Sequence, residues 1–600
     1  MKKNQQKIFA LFTGLLFFYF MTSCDEVKES PPLEKIDRGI VALIVDDNQV
    51  YIGWRLLLTD SQDIGFNVYR KEMGKSDFQK VNNEKIVKST NFVDSLVKSG
   101  LAYHYRIKSI IDGKEEDTRG EASVFMIGSN PDARTPITLS QPYYSIKLRN
   151  DSKIKRVGIG DLDGDGAYDY VVQYPDYNVD PSDFAGSWSR SPEPYQLDAY
   201  SSKGKFLWNY NMGWAIETGT WYSPYIVYDV DGDGLAEVYA KAGEGDPREL
   251  DGHVLEGPEY LAKIDGKTGK VIQKSDWLSK GGFENYNFWS RNFLTVAYLN
   301  GRTPSLVMQR GTYTIIKTMA LDKNMKKEWY WESIGENEKY KGQGGHAIVP
   351  GDVDFDGKDE LIIGTFALDH NGKPLWYTGL GHCDANYLAD IDPSRSGMEV
   401  FYGIEHHSLV FDDEMNSTPR KANPSLKNGV CLVDAASGEI IWGYDGKTTH
   451  VHGSGMVGDI DPEYPGMECH AREAKSGDKY FLYSASGKRL LDKDMGTLST
   501  TVLWWDADEQ KEICRNNILM KYKGDTLLKI QGKVVMIADI IGDWREEIVT
   551  SIPGELRVYS TNIPASSRKV CLMQNRQYRL GAANASTGYF FLPQVGLEKR

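Results

Sequence analysis

Gly160-Asp161-Leu162-Asp163-Gly164-Asp165-Gly166, followed by Asp169, sets carboxylates at alternating positions with glycines bending the chain between them. That pattern wraps oxygen ligands around a hard cation such as Ca²⁺. The phrase returns with Asp229, Asp231, Asp233 and Glu237, and again with Asp352, Asp354, Asp356 and Glu360. Looser copies carry Asp390 and Asp392 ahead of Glu399, Asp459 and Asp461 ahead of Glu468, and Asp539 and Asp543 ahead of Glu546 and Glu547. Several Ca²⁺ ions held by these loops are therefore expected. An EF-hand is excluded, because its loop lies between amphipathic helices, whereas β-rich runs such as Glu360-Leu-Ile-Ile-Gly364 follow here. The competing reading is that these are only Asp-Gly turns joining hairpins.

Histidines are few, and four stand in loops ahead of acidic copies. His346 ends Gly342-Gln343-Gly344-Gly345-His346, His382 ends Gly379-Leu380-Gly381-His382, and His450 and His452 precede Asp459. Glycine-flanked polar residues of this kind can aim a proton-transferring group into a shared channel. The alternative is that each histidine braces the acidic loop that follows it.

Six acidic copies in one chain imply a repeat architecture. Leu261-Ala-Lys-Ile-Asp265 to Gly269 and Val430-Cys-Leu-Val-Asp434 to Gly438-Glu-Ile-Ile-Trp442 each read as strand, Asp/Gly turn and strand. That is one hairpin of a propeller blade. The chain from 131 to 600 has room for seven or eight blades of ~40–60 residues. Before it, residues 39–130 read as short strands around a buried-Trp candidate, Trp54, which suits a fibronectin-III-like β-sandwich. The fold expected is thus all-β, a sandwich followed by a propeller with Ca²⁺-binding Asp-Gly loops.

The first residues carry Lys2, Lys3 and Lys7, then an uncharged run from Ile8 to Ser23, then Cys24. This is an export signal and too short to span a bilayer. Met21-Thr22-Ser23-Cys24 resembles a bacterial lipobox, which implies lipid on Cys24. Residues 1–24 are then a signal peptide and 25–38 a linker, and the body is exported and tethered at a membrane surface, facing the cell surface or the periplasm. Cys383, Cys431, Cys469, Cys514 and Cys571 show no CxxC spacing and read as buried reduced thiols. A net charge of −14 argues against a nucleic-acid partner. A monomer is the expected state.

Trp54-Arg55 with Gly65-Phe66-Asn67-Val68-Tyr69-Arg70, Gly160 to Gly166, Gly379-Leu380-Gly381-His382, Gly542-Asp543-Trp544-Arg545-Glu546-Glu547 and Gln577-Tyr578-Arg579-Leu580 resemble the rhamnogalacturonan lyases of polysaccharide lyase family eleven. The resemblance covers nearly the whole chain after the signal. It implies an eight-bladed calcium-loaded propeller, a polysaccharide substrate, and eliminative cleavage of the galacturonate-rhamnose backbone of pectin. It also implies catalytic roles for His346 and His382 and substrate contacts from Asn178 and Asp180. The chain departs from the family pattern at Glu217, Trp221, Ser454 and Lys529 to Lys533, so that cations able to meet a uronate carboxylate are lost. His450, His452, Lys533 and Lys241 are the residues expected to replace them. Two other readings follow from the same residues. One is a non-catalytic calcium-dependent glycan-binding propeller using Trp188, Trp221, Trp504 and Trp505. The other is a glycoside hydrolase with Glu217 and Glu244 as its carboxylate pair.

Overall fold

The acid-rich loops join strands throughout, as the flanking β-branched runs require. A computed structural model describes residues 33–126, 142–177, 191–216, 219, 222–284, 286–406, 427–448, 450–453, 455–473, 480–491, 501–589 and 591–597. Cys24, Asn178, Asp180, Trp188, Glu217 and Trp221 lie outside these residues, as does the export signal.

Residues 41–125 form two antiparallel sheets, one of Val41–Asp46, Gln49–Gly53 and Asn91–Asp94, the other built on Gly65–Glu72 and Ala102–Ile111. They share one apolar cluster, in which Trp54 is fully buried and its ring meets Phe66 edge-on at 5.5 Å. Eight four-stranded antiparallel sheets follow, seven of them formed from four strands consecutive in the chain. The eighth takes its fourth strand from Tyr143–Lys147, which precedes the first sheet in sequence and pairs with Glu555–Tyr559 near the end of the chain. The strand before the first sheet and a strand of the last are thus held in one sheet.

First strands such as Arg156–Gly160, Asn292–Ala297 and His382–Ala389 are buried along their whole length. The first strands of sheets one to five pack against one another in order, and that of the eighth packs against that of the first. Neighbours run in the same direction. At one end Asn292 Nδ2 donates to the Tyr222 carbonyl (3.2 Å) and His382 Nδ1 to the Gly344 carbonyl (2.6 Å). At the other end the Tyr228 and Tyr298 hydroxyls lie 3.1 Å apart, and the Tyr298 amide donates to Asp359 (2.7 Å).

Two features missing from the sequence reading lock the sheets together. A tryptophan on the fourth strand of one sheet donates its indole N–H to a turn carbonyl of the next: Trp208 to Gly266 (2.6 Å), Trp329 to His370 (3.0 Å), Trp376 to Ala435 (2.8 Å) and Trp442 to Ala485 (2.8 Å). A glycine with positive φ lies on each ring, and a Cβ on Gly438 (φ +77°) would come within 2.9 Å of Trp376. Gly438→Ala should therefore lose about 1–3 kcal/mol through overpacking and backbone strain together. Urea denaturation would show this as a lowered midpoint, and an unchanged midpoint would contradict the lock.

The second feature is the helix Arg576–Asn584, which packs on the first strands of sheets one to four. Arg576 at its start pairs with Asp359 (2.9 Å), and Asn584 at its end accepts from Thr295 (2.8 Å) and donates to the Ile348 carbonyl (3.3 Å). Buried Arg579 pairs with Glu34 (2.9 Å), and Glu34 also accepts from Tyr168 (2.7 Å). The last residues of the expected linker 25–38 therefore pack on the body, because Glu34 and Asp37 answer the buried cations Arg579 and Arg55. The Gly-Asp-Trp-Arg string is a joint as well. Arg545 pairs with Asp543 (2.8 Å) and donates to Tyr51 (2.8 Å), whose hydroxyl donates to Asp543 (3.0 Å), tying the N-terminal sheets to the eighth. The five later cysteines are buried and unpaired, as expected.

Candidate active site

Because the inner strands run in parallel, residues at their starts gather at one end and the acidic loops at the other. His346 lies in Gly344–Gly351 and His382 begins His382–Ala389, each with a strand between it and its acidic loop. At ~3.3 Å per residue, the six residues from His346 to Asp352 span roughly 20 Å. The histidines consequently do not brace the acidic loops. They meet one another.

His346 Nε2 lies 3.2 Å from His382 Nε2 and 3.0 Å from Asp384 Oδ1. His382 Nε2 lies 3.1 Å from Glu405 Oε2. His450 Nε2 lies 3.2 Å from Glu405 Oε1, and His452 Nε2 3.5 Å from Asp384 Oδ2. All but His452 are buried. Two β-bulges at the start of the His382 strand re-aim its side chains, while residues 382 and 384, two apart, keep one face. The glycines permit close approach: a Cβ on Gly345 would come within 3.0 Å of Cys383 Sγ. Buried Gln343 accepts from the Gly381 amide (3.0 Å) and from Thr365 (2.8 Å), pinning the turn ahead of His382. Asp384 and Glu405 had no acidic-loop pattern to mark them. Their only sequence signal is Asp384 at two residues beyond His382, the spacing that shares a strand face.

The electrostatics of this cluster suit a bound cation. A carbonyl only accepts, so Nδ1 of His382 carries the proton it gives to Gly344 and Nε2 of the neutral ring presents a lone pair. Burial holds the ring neutral, with its pKa lowered to about 4. That lone pair faces the Glu405 carboxylate at 3.1 Å. Burial, reinforced by Glu405, raises Asp384 to about 7, and its Oδ1 has no hydrogen bond. Donors bound at ~2.1 Å in tetrahedral geometry stand ~3.4 Å apart, close to the separations among His346, His382, Asp384 and Glu405. These four offer donor atoms within 4.8 Å of one another.

Tyr313, Arg291 and Tyr589, which sequence reasoning missed, pack on or beside the cluster. The Tyr313 ring lies 4.4 Å from that of His382, with its hydroxyl 3.5 Å from His346 Nε2 and the Arg291 guanidinium 4.9 Å over its face. The Tyr589 ring, from the segment after the C-terminal helix, meets His346 at 4.7 Å. Lys155 and Arg156 begin the first inner strand and are buried. Lys155 donates to the Tyr177 carbonyl (3.0 Å), and burial beside Arg156 and Lys533 pushes its ammonium well below the usual lysine range. Lys533 pairs with Asp176 (2.7 Å) at the same end. Lys241 is placed differently: it is buried against Glu259 (3.4 Å), which also pairs with Arg310 and Lys280.

The acidic loops share one internal pattern. The acid that opens the second strand accepts from the amide of the residue after the loop's first carboxylate: Asp169 from Leu162 (2.9 Å), Glu237 from Val230 (3.3 Å), Glu360 from Val353 (3.0 Å), Glu399 from Ile391 (3.0 Å) and Glu468 from Ile460 (3.0 Å). Glu547 does the same with Ile540 (2.7 Å). Glu512 accepts from Trp505 (2.8 Å) and Asp506 (3.2 Å), a copy the sequence reading missed because Asp506-Ala-Asp508 lacks the glycines. Burial raises Glu360 to about 9, and Asp169, Glu399 and Glu468 to about 7. Buried oxygens of Asp352, Glu360, Asp390, Glu399 and Glu468 lack hydrogen bonds. Asp161, Asp163 and Asp169 offer oxygens to one point, as do Asp229, Asp231 and Glu237, although Lys263 reaches Asp231 and Glu237 at 2.8 Å each. Asp165 pairs with Lys203 (2.9 Å), Asp356 with Lys358 (3.1 Å) and Asp461 with Lys523 (2.8 Å). Asp233, Asp354, Asp392 and Asp459 complete the loops.

Comparison with known proteins bears on what this arrangement is for. The description "Rhamnogalacturonan lyase family 11, C-terminal domain" matches residues 149–597, and "Rhamnogalacturonan I lyases beta-sheet domain" matches residues 31–125. The chain is 34% identical to the rhamnogalacturonan endolyase YesW of Bacillus subtilis, over 98% of this chain and 95% of that protein. It is 32% identical to the exolyase YesX of the same organism, over 93% and 94%. The crystal structure of YesW superposes with a TM-score of 0.80, covering 95% of this chain and 98% of that one at 32% identity. A Bacillus licheniformis family-eleven lyase superposes with a TM-score of 0.79 over the same shares, at 31% identity. With residues 31–125 and 149–597 both matched, and a 34% identical relative covering nearly the whole chain, it belongs to rhamnogalacturonan lyase family 11.

Proposed function

We propose that this protein is a polysaccharide lyase that cleaves a rhamnogalacturonan-type glycan by β-elimination at the histidine-carboxylate cluster. The observation that carries the chemistry is the lone pair of His382 facing the Glu405 carboxylate beside Asp384 and His346, a set that fits a divalent cation. Elimination removes the proton on C5 of a 4-linked uronate, which is acidic only when the neighbouring carboxylate is neutralised. A bound divalent ion would supply that positive charge. His346 and His382 hold the ion rather than take the proton, since both are buried and their Nε2 atoms face the cluster. Arg291 adds a permanent charge behind Tyr313. Lys155, whose ammonium is destabilised by burial, suits the base, and Lys533 and Asp176 beside it suit contacts to the sugar.

The eight sheets read as blades of one propeller ring, closed by Tyr143–Lys147 and plugged along its axis by the C-terminal helix. The parallel inner strands and the packing of the eighth on the first support this. The fibronectin-III-like sandwich then caps one side through Arg545 and Tyr51. Ca²⁺ fills the acidic loops, the set of buried unpaired carboxylate oxygens being its support. Export as a lipoprotein anchored through Cys24 is part of the same proposal, resting on the first residues of the sequence. Among the described residues no helix is long and apolar enough to cross a membrane.

The other two readings lose ground. Trp505 is buried in a core cluster, which leaves it no face for a sugar, and Trp504 packs edge-on against Trp544. Glu244 is exposed, and hydrogen bonding with Lys274 holds it below the usual carboxylate range, the opposite of a general acid. The test is to incubate the protein with rhamnogalacturonan, Ca²⁺ and Mn²⁺ supplied, and follow the ultraviolet absorbance of the unsaturated uronate. Absorbance should rise. A flat trace across pectic and other uronate polymers would overturn the proposal.

A further inference from the structure

The cluster has more donors than one ion can use. Glu405 directs Oε2 to His382 (3.1 Å) and Oε1 to His450 (3.2 Å). Asp384 directs Oδ1 to His346 (3.0 Å) and Oδ2 to His452 (3.5 Å). Glu405 therefore offers one oxygen to each side, with two imidazoles on each side, while Asp384 Oδ2 also accepts from the Gly453 amide (2.7 Å). The His450 and His452 rings stack with centroids 5.1 Å apart and planes 13° apart. The Glu405, His450 and His452 donor atoms fall within 4.8 Å of one another.

We infer that His450, His452 and Glu405 hold a second divalent ion, bridged by Glu405 to the ion proposed at His346 and His382. The inference rests on the first-ion reading of the preceding subsection and extends it to a dinuclear centre. Mixed imidazole and carboxylate donors select first-row transition ions such as Mn²⁺ or Zn²⁺, whereas Ca²⁺ takes oxygen ligands. Carboxylate-bridged pairs stand ~3.5–4 Å apart and clamp two oxygens of one substrate group. The second position is the accessible one, since the His452 side chain is 37% exposed while those of His346 and His382 are 1% exposed.

The test strips the full-length protein of metal, fills the acidic loops with excess Ca²⁺ and adds Mn²⁺. Bound manganese is counted by mass spectrometry, and exchange coupling between ions is read by electron paramagnetic resonance. The wild type should hold two Mn²⁺ per chain with a coupled multiline signal. H450Q/H452Q should hold one, uncoupled. One uncoupled Mn²⁺ in both proteins would overturn the second site and leave the first standing; none in the wild type would overturn both. Should the double variant misfold, H452N alters only the more exposed ligand, and an anomalous map of wild-type crystals grown with Mn²⁺ must show two peaks at the cluster or the inference fails.

Discussion

His382→Ala should lower kcat/KM on rhamnogalacturonan by roughly 10²–10⁴-fold, the scale of removing an electrostatic or acid-base contribution from a buried site. The loss has two sources. A ligand of the proposed ion disappears, and Glu405 Oε2 is left facing a hole in a buried cluster, with only His450 still beside the carboxylate. The effect should fall mainly on kcat, because the charge acts on the C5 proton as it leaves. Lys533→Ala, which removes an exposed partner of Asp176, should act mainly on KM. Initial rates of unsaturated product, measured beside thermal melts that establish folding, check both. A folded His382→Ala protein within tenfold of wild type would remove the cluster from the reaction.

Stripping divalent ions should lower the melting temperature, and the loss should grow with pH. Glu360 is pushed up by burial to about 9 from an ordinary 4.5, and Glu399 and Glu468 to about 7. A carboxyl whose folded pKa is raised contributes stability below its unfolded pKa, where it is protonated in both states, and that contribution is lost as pH rises through the folded value. Without ions the fold should therefore weaken between about pH 4.5 and 9. Ions that hold these carboxylates charged flatten that dependence. Melting curves of loaded and chelated protein at pH 5 and pH 8 should differ little at the first and widely at the second. The same gap at both values would contradict the coupling to these carboxyls, and no gap at either would show that buried protons and not ions satisfy the loops. The loop at Asp229 should contribute least, since the Lys263 ammonium already meets Asp231 and Glu237.

Period-2 hydrophobicity and recurring Asp-Gly turns made the all-β repeat legible, because both are local consequences of strand geometry and turn chemistry. Trp54 was legible as core for the same reason. The C-terminal helix was not, since Arg576–Asn584 carries Arg579 on a buried face and looks polar until Glu34 arrives from the other end of the chain. The seventh acidic loop escaped because its turn lacks glycine. Lys241 read as a free cation only because Glu259 is a non-neighbouring partner.

By itself the sequence determined that the chain alternates strands with acid-rich turns and that histidines precede several of those turns. Both are written in residues a few positions apart. Which residues share a site was decided by the tertiary structure. His346 is six residues from Asp352 yet a strand length away from it, while His382, Glu405 and His450, drawn from distant positions, lie within hydrogen-bond reach in a row. The reason is physical: parallel inner strands sort every start to one end and every acidic loop to the other, and direction of packing is not encoded in local spacing.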